Sequence, residues 1–306
     1  MTEPTSVKPS PGQILKAAIR ALRPKQWAKQ VFLFAALIFS LEFTDPDAWI
    51  KTILGAMAFS MLSSTGYIFN DARDVEADRV HPTKRNRPIA SGHLPLPLAY
   101  ALMVVIFSIG VGLAWWLSPK FLMVALFYFV TTISYSFYFK HLVILDVMFL
   151  AACYLWRAAA GAVVIGVSIS PWLLTCTAFI SLFLGFNKRR GELLMLQQKG
   201  TGGITRKNLA QYSPELVVEF QAIATSGTII SYALYAVLGS PTPWMLLTLP
   251  YVLYGIFRYI FLVSIHNEGG APDETLLKDR PILVTGLLYA ITAVIVLILH
   301  MQGMLA

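Results

Sequence analysis

Between Gly66 and Gly92 the chain sets Asn70, Asp71, Asp74 and Asp78 in the order Asn-Asp-x-x-Asp-x-x-x-Asp, directly after an apolar run. At about 100° per residue these four side chains fall within an arc of about 100°, so one helical face carries all of their oxygens. Ser63 and Tyr67 share that face; Arg73 and Glu76 project elsewhere. Three carboxylates this close repel one another unless a cation stands among them, and oxygen ligands at this spacing suit a hard ion such as Mg²⁺. Because Mg²⁺ keeps waters and takes substrate phosphates as its other ligands, the face predicts a diphosphate as its natural partner. Asp71, Asp74 and Asp78 are the candidate catalytic acids, and Asn70 completes the metal-ligand set. Lys84, Arg85 and Arg87 follow at once and are placed to hold the same anion from the other side. The plainer reading is a solvated helix end of mixed charge, but such an end seldom keeps most of its acids on one face.

The elements that must carry this face belong to a membrane protein. Of the 306 residues, 57% are hydrophobic and 13% charged, against about a quarter charged in soluble domains. Apolar stretches long enough to cross a bilayer recur along the whole length, which predicts one all-α, polytopic membrane domain over residues 13–306. Residues 1–12 are polar and rich in Pro and Ser, and read as a disordered tail without the pattern of a signal peptide. Cys153 and Cys176 lie inside apolar runs and read as small hydrophobes.

Ile14 to Leu22 has helical spacing with Lys16 and Arg20 on its polar side. With Arg23-Pro24-Lys25-Gln26-Trp27 after it, this segment predicts an interfacial helix leading into the bilayer. Nine spans follow, at about 28–41, 49–69, 96–117, 121–139, 142–167, 171–186, 214–238, 244–264 and 281–300. Of the 24 Lys and Arg, alternation of sides leaves only Lys51 and Lys120 opposite the N-terminus, with Arg157 inside a span. The positive-inside rule therefore puts the N-terminus and the polar loops in the cytoplasm, the membrane being the cell membrane. The net charge of +8 is first a topological signal, although its field also draws in phosphorylated substrates; no nucleic-acid motif accompanies it.

Polar chemistry gathers on that cytoplasmic side. Tyr135, Tyr138, Lys140 and His141 follow the fourth span, with Asp146 a turn into the fifth. Asn187, Lys188, Arg189, Arg190 and Glu192 follow the sixth, and Asn267 to Arg280 follows the eighth. Arg157 lies well inside the fifth span, where an ionised side chain costs about 2.5–3.5 kcal/mol and needs a partner or water. Asp146, eleven residues earlier, returns to within about 20° of the same face, which predicts a polar cavity serving both. Capping of Arg157 by carbonyls of a neighbouring helix is the structural alternative. The five histidines are scattered without ligand spacing, and no Ser-His-Asp arrangement, phosphate-binding Gly loop or dinucleotide fingerprint is present.

With Asn70-Asp71-x-x-Asp74-x-x-x-Asp78 followed by Asn86-Arg87-Pro88-Ile-Ala-Ser-Gly92, the sequence resembles the UbiA superfamily of intramembrane prenyltransferases over nearly its whole length. The resemblance implies nine transmembrane helices around a central cavity. It also implies a second Asp-rich motif after the sixth helix, the two motifs together binding the Mg²⁺-diphosphate of a prenyl donor. The chain departs there, since Lys188, Arg189 and Arg190 occupy that place, a basic patch suited to a phosphate without metal. The combination is similar to the decaprenyl-phosphate phosphoribosyltransferase branch, in the stretch from Asp74 to Ala90, at Tyr154-Leu-x-Arg157-Ala-x-Ala-Gly161 and at Lys188-Arg189-x-x-Glu192-Leu193.

That branch implies transfer of 5-phosphoribose from 5-phosphoribose 1-diphosphate to a polyprenyl phosphate, for cell-envelope glycan synthesis. The four motif residues would hold Mg²⁺ on the diphosphate, and the polyprenyl phosphate, held by Lys188, Arg189 and Arg190, would attack ribose C1 with inversion. A phosphate is already an anion, so no protein nucleophile or general base is needed. Lys84, Arg85 and Arg87 are candidates for the 5-phosphate or the diphosphate. Tyr67, Tyr138, Lys140, Asp146, Arg157 and Glu192 complete the expected substrate-binding set. Two other functions stay open: a UbiA-type transferase moving a prenyl chain to an aromatic or glycerol acceptor, and a transporter, which would show broken spans in repeated halves. A homo-oligomer is left open as well.

Overall fold

The computed structural model describes residues 10–82, 84–168, 170–199, 207–265, 275 and 278–305. Among these the regular elements are helices: α1 (Pro11–Ala21), α2 (Phe34–Phe39), α3 (Pro46–Arg73), α4 (Val75–Val80), α5 (Leu96–Leu117), α6 (Pro119–Phe137), α7 (Leu145–Ile165), α8 (Pro171–Lys199), α9 (Pro214–Leu234), α10 (Leu249–Ile265) and α11 (Arg280–Met301). Seven of the described segments are long and apolar enough to cross a membrane: α3, α5, α6, α7, α9 with its extension to Gly239, α10 with its lead-in from Pro243, and α11. The expected count of nine is not reached by that measure. In place of the expected first span stand a 3₁₀ segment, Pro24–Leu33, and the six-residue α2. The expected sixth lies in α8, whose second half carries Asn187, Lys188, Arg189, Arg190 and Glu192.

Helix α1 starts earlier than the anticipated tail allows, because Ser10 and Gln13 form a reciprocal capping box and Pro11 occupies the first turn. Residues 1–9 lie outside the described residues, as do those of the expected polar loops at 200–206 and 266–274. One face of α1 packs Ala17 and Ala21 against Ile68, Ala72 and Val75. Arg23, in the left-handed region at φ 53°, then turns the chain into the 3₁₀ segment. That segment runs against α7 at Gly161, where a Cβ would stand 2.0 Å from the Leu33 carbonyl oxygen. Only glycine permits this approach.

Helix α3 is the enclosed centre, and its composition explains why. Ser60, Ser63, Ser64, Thr65 and Gly66 are small and buried, so neighbouring helices come close, as in membrane bundles generally. The hydroxyls of Ser64 and Thr65 return to carbonyls four residues back at 2.8 and 3.0 Å, so they leave no unmet polar group in the interior. Phe59 packs on Phe121 and Tyr128 in a cluster with Leu33 and Ala160. Trp115, Trp116, Val104, Phe127 and Leu287 stand exposed on the outer helices, which is stable where the surrounding solvent is hydrocarbon. The end of α3, the end of α6, the start of α7 and the second half of α8 meet at one polar end of the bundle, joined by ion pairs.

Candidate active site

Helix α3 ends at Arg73, and the chain breaks at Asp74 (φ −91°, ψ 14°) before α4 resumes. The four motif residues therefore do not ride on one continuous helix, and the expected single arc becomes two pairs. In the first, Arg87 Nη1 donates to Asp71 Oδ1 at 2.9 Å and to Asp78 Oδ2 at 2.7 Å, while Arg23 Nη2 donates to both Asp71 oxygens at 2.7 and 2.8 Å. Both carboxylates are buried. In the second, Lys140 Nζ donates to Asn70 Oδ1 at 3.4 Å and Asp74 Oδ2 at 3.2 Å, and Arg73 Nε reaches Asp74 Oδ1 at 3.1 Å.

The two arginines of the first pair are held in place by hydrogen-bonded and apolar structure. The Arg23 turn is tied to α3 because Trp27 Nε1 donates to Ser64 Oγ at 3.1 Å, and the Ser64 hydroxyl shares its one hydrogen between the Ser60 and Leu22 carbonyls, each at 2.8 Å. Its guanidinium lies 4.8 Å over the Tyr67 ring. Arg87 follows a short turn, Lys84–Asn86, and buried Ile89 and Leu94 anchor the chain after it against Ile68 and Ala72. Arg20, Arg23, Asp71, Lys84, Asn86, Arg87 and Pro88 line a cavity of about 330 Å³. Arg85 is exposed beside it, and Tyr138 is exposed at the end of α6.

The Asp74 carboxyl titrates below its ordinary range. Partial burial pushes it up, but the charge and hydrogen bond of Lys140, then those of Arg73, outweigh that effect. His81 is also held low, by burial and the charge of Lys84, with Asp78 opposing and Arg87 adding to the effect.

Among the described residues no three His, Cys, Asp or Glu converge as one metal site. The donor chemistry still fits Mg²⁺: Asn70 with Asp74, and Asp71 with Asp78, present hard oxygens two by two around a cationic nitrogen. Mg²⁺ commonly takes one or two carboxylates and fills its remaining positions with water and substrate phosphates. Asp74 and Asn70 form the more open pair, since Asp71 and Asp78 are buried with two arginines.

The expected link between Asp146 and Arg157 is absent, because each finds partners on other elements. Asp146, fully buried, pairs with Arg189 Nε at 2.8 Å and accepts from Asn208 Nδ2 at 3.0 Å and Tyr212 OH at 2.8 Å. Tyr212 OH also accepts from the Ile144 N–H at 2.7 Å. That contact holds Ile144 at φ 69°, a strained position for a β-branched residue. Arg189 is buried and bonds Glu192 as well. Arg189 is thus enclosed between two carboxylates and not open at the surface, while its Nη2 is buried without a hydrogen-bond partner. Lys188 and Arg190 are half-buried, and Arg190 Nη1 donates to Gln221 Oε1 at 3.1 Å.

Arg157 donates to Gln30 Oε1, the Cys153 carbonyl and Tyr128 OH. Sequence reasoning missed Arg23, Gln30, Tyr128, Asn208 and Tyr212. The Arg-Pro break after α1 was a signal for Arg23; the others come from distant segments and had none.

A family model described as the UbiA prenyltransferase family matches residues 31–273. A protein of Corynebacterium glutamicum named decaprenyl-phosphate phosphoribosyltransferase is 34% identical, covering 90% of this chain and 85% of its own. One of the same name from Mycobacterium tuberculosis is 32% identical, covering 95% and 97%. A digeranylgeranylglyceryl phosphate synthase of Sulfurisphaera tokodaii matches over only 30% of this chain and 32% of its own, at 34% identity. Among solved structures, a UbiA homolog from Archaeoglobus fulgidus bound to GPP and Mg²⁺ superposes with a TM-score of 0.68 at 17% identity, covering 90% of this chain and 96% of its own.

Proposed function

The chain belongs to the UbiA prenyltransferase family, and from that premise we propose that it transfers 5-phosphoribose from 5-phosphoribose 1-diphosphate to a polyprenyl phosphate such as decaprenyl phosphate. Diphosphate leaves, and the lipid-linked phosphoribose feeds cell-envelope glycan synthesis. The observation that carries this reading is similarity along nearly the whole chain to relatives named for that reaction, against a short match to the digeranylgeranylglyceryl phosphate synthase. The site supports it. Four cations, Arg20, Arg23, Lys84 and Arg87, line the cavity beside the acids, which suits a small substrate bearing both a phosphate and a diphosphate.

In this reading the donor sits at the polar end, its diphosphate against Lys140 and the Asn70–Asp74 pair, its 5-phosphate in the basic cavity. Asn70 and Asp74, with Asp71 and Asp78 behind them, would hold Mg²⁺, which when bound neutralises the diphosphate as a leaving group. The named Mg²⁺-bound relative of the same fold supports divalent metal use. Arg23 and Arg87 fix Asp71 and Asp78 and keep their charge from repelling the donor. The acceptor phosphate attacks ribose C1 as an anion, so no side chain needs to remove a proton. The asymmetry of Lys and Arg between the two sides supports a multi-pass protein of the cell membrane with this end in the cytoplasm.

Purified protein supplied with 5-phosphoribose 1-diphosphate, Mg²⁺ and decaprenyl phosphate should release diphosphate and form ribosylated lipid. Prenyl transfer to an aromatic or glycerol acceptor, with no ribosyl transfer, would overturn the proposal.

A further inference from the structure

Arg157 carries into the middle of α7 a charge that no carboxylate answers among the described residues. Its side chain donates from Nε to Gln30 Oε1 at 3.0 Å, from Nη1 to the Cys153 carbonyl at 2.9 Å and from Nη2 to Tyr128 OH at 2.8 Å. The rings of Tyr128 and Tyr154 lie 4.7 and 5.3 Å from it. All of these partners are neutral, and Arg157 is 4% exposed. A second observation stands beside the first: Gln30, 3% exposed, spends its amide oxygen on Arg157, and its Nε2 is sealed from solvent without an acceptor. A buried amide donor is seldom left unmet, and a cation inside a membrane span pairs with an opposite charge or with backbone carbonyls, of which Arg157 has one. A glutamate at position 30 would supply the missing charge. The chain instead places an amide there, adding a donor next to a cation.

Two neighbouring groups that both lack an anion define a site for one that arrives from outside. Its position suits one substrate better than the other. Tyr67 lies under the Arg23 guanidinium, and Tyr128, which accepts from Arg157, packs on Phe59 of the same helix, so α3 connects this pair to the Asp71 cluster. The donor is water-soluble and enters from the polar end. The acceptor phosphate hangs from a chain dissolved in the bilayer and comes from the membrane side. Resting on the phosphoribosyl transfer proposed above, we infer that Arg157 and Gln30 Nε2 bind the phosphate of the polyprenyl acceptor below the acidic motif. An acceptor oxygen then forms the new bond to ribose C1 while the C1–O bond breaks and its electron pair leaves on diphosphate; Arg157 stays protonated and no proton moves. Arg189 is paired with Asp146 and Glu192, so in this proposal Arg157 and Gln30 hold the lipid phosphate that Lys188, Arg189 and Arg190 were expected to hold.

The test is Gln30→Glu, which gives Arg157 an internal counter-ion. Decaprenyl phosphate binding is followed by native mass spectrometry in detergent, alongside steady-state kinetics and the melting temperature. Gln30→Glu should melt no lower than wild type, yet raise the KM for decaprenyl phosphate about ten-fold or more, the loss of a charge-assisted contact, and leave that for 5-phosphoribose 1-diphosphate within about two-fold. Arg157→Met should lose the lipid in the same way, and Arg157→Lys should recover part of it. A folded Gln30→Glu with wild-type lipid binding and KM overturns the inference while leaving ribosyl transfer intact. Should Gln30→Glu not fold, Gln30→Met, which removes the unmet donor, must show the same lipid-selective loss or the inference falls. Arg157-dependent binding of the lipid by a protein that transfers no ribose would support this site and sink the proposed reaction instead.

Discussion

Arg189 Nε lies 2.8 Å from Asp146 Oδ2, and both side chains are closed to solvent, at 1% and 0% exposure. A charge pair this enclosed is costly to break, because removing one member leaves the other desolvated and alone, at about 3–5 kcal/mol. Arg189→Met and Asp146→Leu should each lower the melting temperature in detergent substantially. The double variant should recover part of the loss, although Glu192 and Tyr212 also lose a partner. If Arg189→Met kept its melting temperature and raised only the KM for polyprenyl phosphate, Arg189 would be a substrate ligand after all.

The two acid pairs should separate in mutation. Asp74→Asn, on the open side with Lys140, should cut turnover about 100-fold, the usual scale for a group that stabilises developing charge, with little change in melting temperature. Asp71→Asn should lose both activity and stability, since two arginines converge on that carboxylate. Initial rates across a Mg²⁺ titration, with thermal unfolding of the same samples, distinguish the two. Chelation of Mg²⁺ by EDTA should stop diphosphate release by the wild type.

Lys140 is the largest influence lowering the Asp74 carboxyl, against partial burial, which raises it. A carboxyl whose folded value is depressed contributes stability that is fully present above its ordinary value and is lost only as pH falls through the depressed one. Asp74 should therefore stay ionised from pH 5 to 8 and add no pH dependence there. In Lys140→Met burial is no longer offset by that charge, and the acid limb of kcat/KM for 5-phosphoribose 1-diphosphate should move to higher pH. An unmoved limb would show that Lys140 does not set the ionisation of Asp74.

Gly161→Ala should act at a distance. Its methyl would overlap the Leu33 carbonyl and push the 3₁₀ segment away from α7, at about 1–3 kcal/mol in overpacking. Gln30 rides on that segment, so loss of its bond to Arg157 should raise the lipid KM as well as lower the melting temperature. Normal kinetics with only a stability loss would mean that the segment shifts without carrying Gln30.

Most of the helical frame was legible from local pattern. Long apolar runs such as Leu96–Leu117 and Arg280–Met301 cross the bilayer because every backbone group must be satisfied within its own segment, and that requirement is written residue by residue. The acidic motif and the cations after it were legible for the same reason, being close in the chain. Even so, periodicity carried α3 through Asp74, where the backbone breaks, and made one arc of what are two pairs.

Tertiary structure decided which charge meets which. Asp146 and Arg157 share a face of α7, but a helical projection shows where side chains leave their own axis and says nothing of the segment waiting opposite. Arg157 meets Gln30 and Tyr128, at sequence separations of 127 and 29 residues; Asp146 meets Arg189, Asn208 and Tyr212. Buried charge is stabilised by contacts of a few ångströms. Only the packing of α3, α7, α8 and the 3₁₀ segment brings such distant residues to that range, so an arginine that reads as a free cation in the chain becomes an enclosed, paired one in the fold.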